Sequence, residues 1–264
     1  MLTDRPIGVF DSGIGGLTVV KNLMELLPNE DIIYFGDIAR IPYGTKSKQT
    51  IQKFAAQTAK FLIDQDVKAI IIACNTISAI AKDIVQEIAQ NIPVIDVISA
   101  GVSLVSELNT VGVVATPATI NSNAYAIQIT EKNPRATVYS NSCGLFVSMI
   151  EEGFIKGQIV ELVAKEYLDY FIDKNIDALI LGCTHYPIIK DSVAKVLDVK
   201  LIDPSLQASQ ILKKLLIKKE LLNKKNLPSE YKFYVTDIPL KFRAVGEMFL
   251  ETQMQHLEIV SLLE

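Results

Sequence analysis

Short apolar runs rich in β-branched residues alternate along this chain with longer amphipathic stretches, and this alternation restricts the fold more than any single motif does. Residues 7–10, 32–35, 69–73 and 94–97 read as strands with helical segments between them. A second series follows at residues 111–115, 137–140, 178–182 and 200–202, then a helix near 206–222, a short apolar run at 231–236 and a helix near 240–252. Strands separated by helices do not pair as tight hairpins; they line up as parallel sheets whose two faces are covered by helices. The expected fold class is α/β, with mainly parallel sheets flanked by helices.

The two series look like copies of one plan. Ile7-Gly8-Val9 recurs as Val111-Gly112-Val113, and Ala69-Ile70-Ile71-Ile72-Ala73-Cys74 recurs as Ala178-Leu179-Ile180-Leu181-Gly182-Cys183, at offsets of 104 and 109 residues. Buried parallel strands resemble one another by composition, but a cysteine at the same place after both strands points to duplication. A chain of 264 residues has room for two domains. The expectation is two similar, pseudo-twofold-related domains: residues 1–98 plus 206–264, carrying Asp11 and Cys74, and residues 99–205, carrying Cys183 and His185. No flexible-linker composition marks the junctions, and the cleft between the domains is the natural place for a site.

Composition excludes several classes. Asp4, Arg5 and Pro6 stand where a signal peptide would need an apolar core, and no apolar run approaches the length of a membrane span, so the expected location is the cytoplasm. Three cysteines cannot all pair within one chain, and a reducing compartment keeps them as thiols. The net charge of −4 argues against a general affinity for nucleic acid. Lys213, Lys214, Lys218, Lys219, Lys224 and Lys225 form a local basic run, but Leu212, Leu215, Leu216 and Leu222 interleave with them at helical spacing, which reads as a solvated helix face.

In parallel α/β sheets ligands gather at the carboxyl ends of the strands. Five polar clusters fall there: 11–16 after the first strand, Gly36-Asp37 after the second, Cys74-Asn75-Thr76 after the third, Thr116 to Thr119 after the first strand of the second half, and Cys183-Thr184-His185 after its third. Gly13, Gly15 and Gly16 have neither the dinucleotide-binding nor the P-loop spacing; what they leave is an anion near a helix start or a tight turn. Cys74 and Cys183 each end an apolar strand ahead of an expected helix N-terminus, a setting that favours thiolate. Cys143, followed by Leu145, Phe146 and Val147, reads as core. One nucleophilic cysteine assisted by His185 would leave Cys74 idle. Zinc held by Cys74, Cys183 and His185 lacks any paired Cys-x-x-Cys spacing. Two bases facing one carbon suit removal of a proton from one side and its return from the other.

The combined set, Ile7 through Gly16, Gly36-Asp37 with Pro42-Tyr43-Gly44, Ala73-Cys74-Asn75-Thr76 and Leu181-Gly182-Cys183-Thr184-His185-Tyr186-Pro187, resembles the bacterial glutamate racemases of the aspartate/glutamate racemase superfamily, in consistent order from residue 7 to about 205. The resemblance implies that Cys74 deprotonates D-glutamate and Cys183 deprotonates L-glutamate, with neither cofactor nor metal. Asp11 would assist Cys74 and His185 would assist Cys183; Asp11 could instead bind the substrate ammonium or cap a helix.

Substrate contacts are implied for Asp11, Ser12, Tyr43, Gly44, Asn75, Thr76, Thr184 and His185, with Thr116 and Thr119 as weaker candidates. Glu151 matches an acidic position of the family and also reads as an exposed helix-end charge. Ser142-Cys143-Gly144-Leu145 lacks the proline many relatives carry after this cysteine, and Ala115 replaces a common glycine; both departures bear on loop shape and substrate fit. The family further implies D-glutamate for peptidoglycan and dimerisation as a common assembly; the split site itself leads us to expect hinged closure of the domains over the substrate, and charge and apolar-run length lead us to expect no nucleic-acid or membrane partner. An aspartate racemase with a differently sized pocket is the nearest rival, and a silent amino-acid-binding protein is the alternative of another class. Residues beyond 205 add little to the resemblance, and His256 is assigned no role.

Overall fold

A computed structural model describes residues 2–224, 228–238 and 242–262. Its first sheet takes β1 (Ile7–Asp11), then α1 (Leu17–Leu26), β2 (Ile32–Gly36), α2 (Lys48–Asp64), β3 (Ala69–Ile72), α3 (Asn75–Ala89) and β4 (Val94–Asp96). The chain then passes through α4 (Val97–Ser103) into β5 (Thr110–Ala115), α5 (Pro117–Asn121), α6 (Ala124–Lys132), β6 (Thr137–Ser142), α7 (Leu145–Glu151), α8 (Gln158–Leu168), β7 (Ala178–Gly182), α9 (Lys190–Val196) and β8 (Lys200–Ile202). It returns along α10 (Pro204–Lys218) to β9 (Tyr231–Val235), α11 (Phe242–Leu250) and β10 (Leu257–Ile259). Lys225 of the basic run and the start of the helix expected near 240–252 lie outside the described residues.

The strands form a six-stranded sheet ordered β10-β9-β2-β1-β3-β4 and a four-stranded sheet ordered β6-β5-β7-β8, and every pairing is parallel. Alternation along each strand decides what each face buries. In the first sheet Phe10, Ile33, Phe35, Ile70 and Ile72 meet α2 and α3, while Ile7, Val9, Tyr34 and Ile71 meet α1, α10 and α11. In the second, Val111, Val113 and Ile180 pack against α4 and α6, and Leu179 and Leu181 against α7 and α8. The expected α/β class with helices on both faces is what the chain forms.

Two short helix starts carry the chain between the sheets. Asp96 caps α4 by accepting from Ser99 N at 2.8 Å, and Asp203 caps α10 by accepting from Ser205 N at 2.8 Å. These two helices cross closely: a Cβ on Gly101 would lie 3.1 Å from Pro204 Cγ. The tail contributes more than the sequence suggested. β10 is an edge strand that was not anticipated, because it is three residues long with a charged Glu258 at its centre, and the carbonyl of His256 accepts from Phe233 N just before it. No described helix is long and apolar enough to cross a membrane.

Candidate active site

Both sheets present their carboxyl ends to one cavity of about 410 Å³. Asp11, Ser12, Tyr43, Gly44, Cys74, Asn75 and Thr76 line it from the first sheet. Thr116, Glu151, Cys183, Thr184 and His185 line it from the second.

The first wall is built on β1 and β3. Asp11 ends β1 and its Oδ2 accepts from Gly16 N at 2.7 Å, so its buried carboxylate fixes the turn into α1 and also faces the cavity. Tyr34 donates to the Gly13 carbonyl at 2.6 Å and holds the same turn from below. Cys74 follows β3 as the N-cap residue of α3, and its Sγ lies 3.3 Å from Ser12 Oγ. Asn75 accepts from Tyr125 Oη at 2.7 Å through its Oδ1, so its NH₂ group is what it has left to donate.

The second wall is built on β7 and α7. Cys183 follows β7, and the chain continues through Thr184 and His185 into a single 3₁₀ turn, Tyr186–Ile189. The α-helix N-terminus expected right after Cys183 is therefore displaced to α9. His185 Nδ1 lies 3.8 Å from Cys183 Sγ, and His185 Nε2 lies 3.0 Å from Glu151 Oε1 at the end of α7. The structure thus brings Glu151 into the site, although it stands 34 residues before His185 in sequence. Cys143 is fully buried away from the cavity lining, as its apolar neighbours suggested.

Two expected members lie behind the lining. Thr119 is buried and joins Thr76 and Thr116 in a triangle of hydroxyls 3.1–3.3 Å apart that ties the two walls together. Asp37 does not reach the cavity; it is buried behind Tyr43 and accepts a hydrogen bond from that hydroxyl. Sequence reasoning missed Val147 and Ser148 of α7, which line the cavity, and Phe249 of α11, whose ring packs on His185. The glycines acquire a different meaning from the anion cradle considered above: a Cβ on Gly15 would lie 2.5 Å from His185 Nδ1, so a bare backbone is needed where the two walls meet.

Electrostatics distinguishes the two thiol environments. Burial pushes the Cys74 thiol well above its ordinary range and the Asp11 charge adds to the rise, while hydrogen bonding from Ser12 opposes it. This overturns the lowered value expected from an N-terminal position: loss of hydration outweighs the helix end. Burial alone would lower the His185 imidazole; its hydrogen bonds to Cys183 and Glu151 outweigh that and push it up to about 10. Cys74, Cys183 and His185 do not meet as zinc ligands: among the described residues no group of three or more His, Cys, Asp and Glu side chains is arranged to hold a metal ion.

Residues 7–210 match the Asp/Glu/Hydantoin racemase family. A glutamate racemase of Neisseria meningitidis is 48% identical over 262 residues, covering 98% of this chain and 97% of that protein. Among solved structures, a glutamate racemase from Francisella tularensis subsp. tularensis, in complex with D-glutamate, is 82% identical with a TM-score of 0.96 and 98% of each chain covered. A glutamate racemase from Thermus thermophilus, in complex with β-chloro-D-alanine, is 38% identical with a TM-score of 0.89 over 98% of each chain.

Proposed function

The chain belongs to the Asp/Glu/Hydantoin racemase family, and from that premise we propose that it is a glutamate racemase using two cysteine thiols and no cofactor. The observation that carries this reading is the pair Cys74 and Cys183, buried at matching strand ends of two different sheets and lining one cavity. A proton can be taken from one face of a carbon held between them and returned to the other. The D-glutamate bound by the Francisella tularensis relative supports a ligand of this class.

In the L-to-D direction, Cys183 acts as a thiolate paired with the protonated His185 imidazole and removes the α-proton of L-glutamate, and Cys74 delivers its own proton to the opposite face. Cys183 ends as thiol and Cys74 as thiolate; D-glutamate runs the same steps in reverse, and exchange with solvent through His185 and Asp11 resets the pair. Burial keeps Cys74 in its thiol form, so it carries a proton to deliver to the carbanion, and Glu151 holds the imidazole that serves Cys183. Negative charge develops toward the substrate α-carboxylate in the transition state, where backbone N–H groups and the Asn75 amide can stabilise it. The domains are residues 1–98 plus 206–264 and residues 99–205, and they close over the substrate. The product supplies peptidoglycan in a bacterial cytoplasm, and the enzyme works as a homodimer.

Circular dichroism of the purified protein with L-glutamate, D-glutamate and L-aspartate, without cofactor or metal, tests the reading. Expected is racemisation of glutamate from either side, reduced by about 10³-fold or more in Cys74→Ala and in Cys183→Ala. Signal with aspartate alone would move the assignment to an aspartate racemase, and silence with all three would leave a binding protein.

A further inference from the structure

We propose that Asp37, which does not touch the cavity, is a positioning residue that sets the cavity rim through Tyr43; this rests on the racemase reading and deepens it. Asp37 follows β2 and is one of the most buried charged residues of the chain, 1% exposed. Each of its two carboxylate oxygens accepts two hydrogen bonds. Arg40 Nε donates to Oδ1 at 2.9 Å and to Oδ2 at 2.7 Å, Thr236 Oγ1 donates to Oδ1 at 3.0 Å, and the Tyr43 hydroxyl donates to Oδ2. Its backbone N–H donates to the carbonyl of Asp11 at 3.2 Å, which continues the β1–β2 register to the last residue before the site.

Such a carboxylate, paired and fully hydrogen-bonded, is a rigid anchor rather than a reactant. What it anchors is the 3₁₀ turn Tyr43–Thr45, which lines the cavity and, together with α3, packs on α5 of the second wall. Gly44 faces Thr116 there, with a Cβ position 3.7 Å from Thr116 Cβ. The Tyr43 ring also packs on Phe54, but the turn's other hydrogen bonds are its own, Lys46 N to the Tyr43 carbonyl and Thr45 Oγ1 to the Pro42 carbonyl, so only the Tyr43 hydroxyl fixes it to a charged anchor. Burial and the neighbouring Asp37 charge keep Tyr43 protonated, so its single proton stays committed to Asp37. Thr236 comes from the segment after β9 and also accepts from Ala39 N at 2.9 Å, so the tail braces the anchor from its far side.

A misplaced rim weakens substrate binding more than proton transfer. The test is steady-state racemisation of both enantiomers by Asp37→Ala, Asp37→Asn, Tyr43→Phe and the double variant Asp37→Ala/Tyr43→Phe, with thermal melts alongside. Expected in Asp37→Ala and in Tyr43→Phe is a KM raised about tenfold with kcat within about threefold. kcat/KM must fall equally in both directions, because the equilibrium constant of a racemisation is one. Asp37→Asn retains an acceptor for Tyr43 and recovers most of the loss. The double variant should be no worse than Asp37→Ala alone. KM unchanged within twofold in Tyr43→Phe, or losses that multiply in the double variant, would overturn the proposal. Should Asp37→Ala not fold, Tyr43→Phe in the Asp37→Asn background carries the same comparison. Wild-type protein inactive on glutamate would instead overturn the racemase reading, a separate outcome.

Discussion

The imidazole of His185 meets the ring of Phe249 edge to face, with centroids 5.6 Å apart and planes at 82°. Phe249 lies on α11, which packs on α1, and it is buried to 1% exposure. The imidazole therefore has one partner on each side: Cys183 at Nδ1, Glu151 at Nε2 and an apolar ring against the rest. A residue of the tail thus fixes the tilt of a group that belongs to the opposite sheet.

Replacing Phe249 by leucine removes the ring contact but keeps an apolar filler, at a stability loss of about 1–2 kcal/mol. With the imidazole free to tilt, its hydrogen bonds to Cys183 and Glu151 loosen. The expected outcome is kcat/KM lowered several-fold and equally in both directions, with the pH profile shifted. Profiles that superimpose on the wild type while only the melting temperature drops would make Phe249 a packing residue and nothing more.

The two hydrogen bonds on His185 give a pH dependence of defined sign. Burial lowers the imidazole, the bonds to Cys183 and Glu151 raise it, and the balance lies at about 10, above the ordinary value near 6.5. A basic group raised on folding adds stability that is complete below about 6.5 and is lost as pH climbs through about 10. In Glu151→Gln one of the raising partners loses its charge, so the imidazole titrates lower, by about one unit or more. Nuclear magnetic resonance of the labelled imidazole measures the midpoint directly. Urea unfolding should find the variant weakened most near pH 6 and little above pH 10. A midpoint unmoved by the substitution would show that Glu151 does not hold the proton on His185.

How far these features were legible in the sequence depends on how local their causes are. The strands and the two cysteines at their ends were legible because apolar runs and a following polar residue lie within a few positions of each other. Gly15 was visible as a glycine but not for its reason, since the atoms it makes room for belong to His185 and Thr184 in the other half of the chain. Glu151 was ambiguous because a helix-end acid looks the same whether it meets solvent or an imidazole. Asp37 was seen among residues at a strand end and assigned to the cleft; its burial behind Tyr43 follows from Arg40 and Thr236 closing over it, which no spacing encodes. In the tail the two helices and the apolar run that forms β9 were legible from their patterning, whereas β10 and the role of Phe249 were not, because they act by docking on β9 and on His185.

The last relationship lies near the opposite, amino ends of the first sheet's strands. Lys68 precedes β3 and Glu30 precedes β2, and their charged ends meet at 2.5 Å with both side chains shielded from solvent. Lys68 Nζ also donates to the carbonyls of Thr3 at 2.7 Å and Leu221 at 2.9 Å, and Glu30 Oε1 accepts from Asn223 N at 2.8 Å. The pair therefore ties the chain start and the segment after α10 to the sheet. Lys68→Met strands a buried carboxylate, which costs about 3–5 kcal/mol, whereas Lys68→Met combined with Glu30→Gln leaves no uncompensated charge and should recover a large part of it. Urea unfolding of the three proteins measures both numbers. Because the pair stands at the amino ends of β2 and β3, away from the cavity at the carboxyl ends, kcat and KM measured well below the melting temperature should match the wild type. A double variant as weak as Lys68→Met alone would mean that the hydrogen bonds to Thr3 and Leu221, and not the ion pair, hold this corner together.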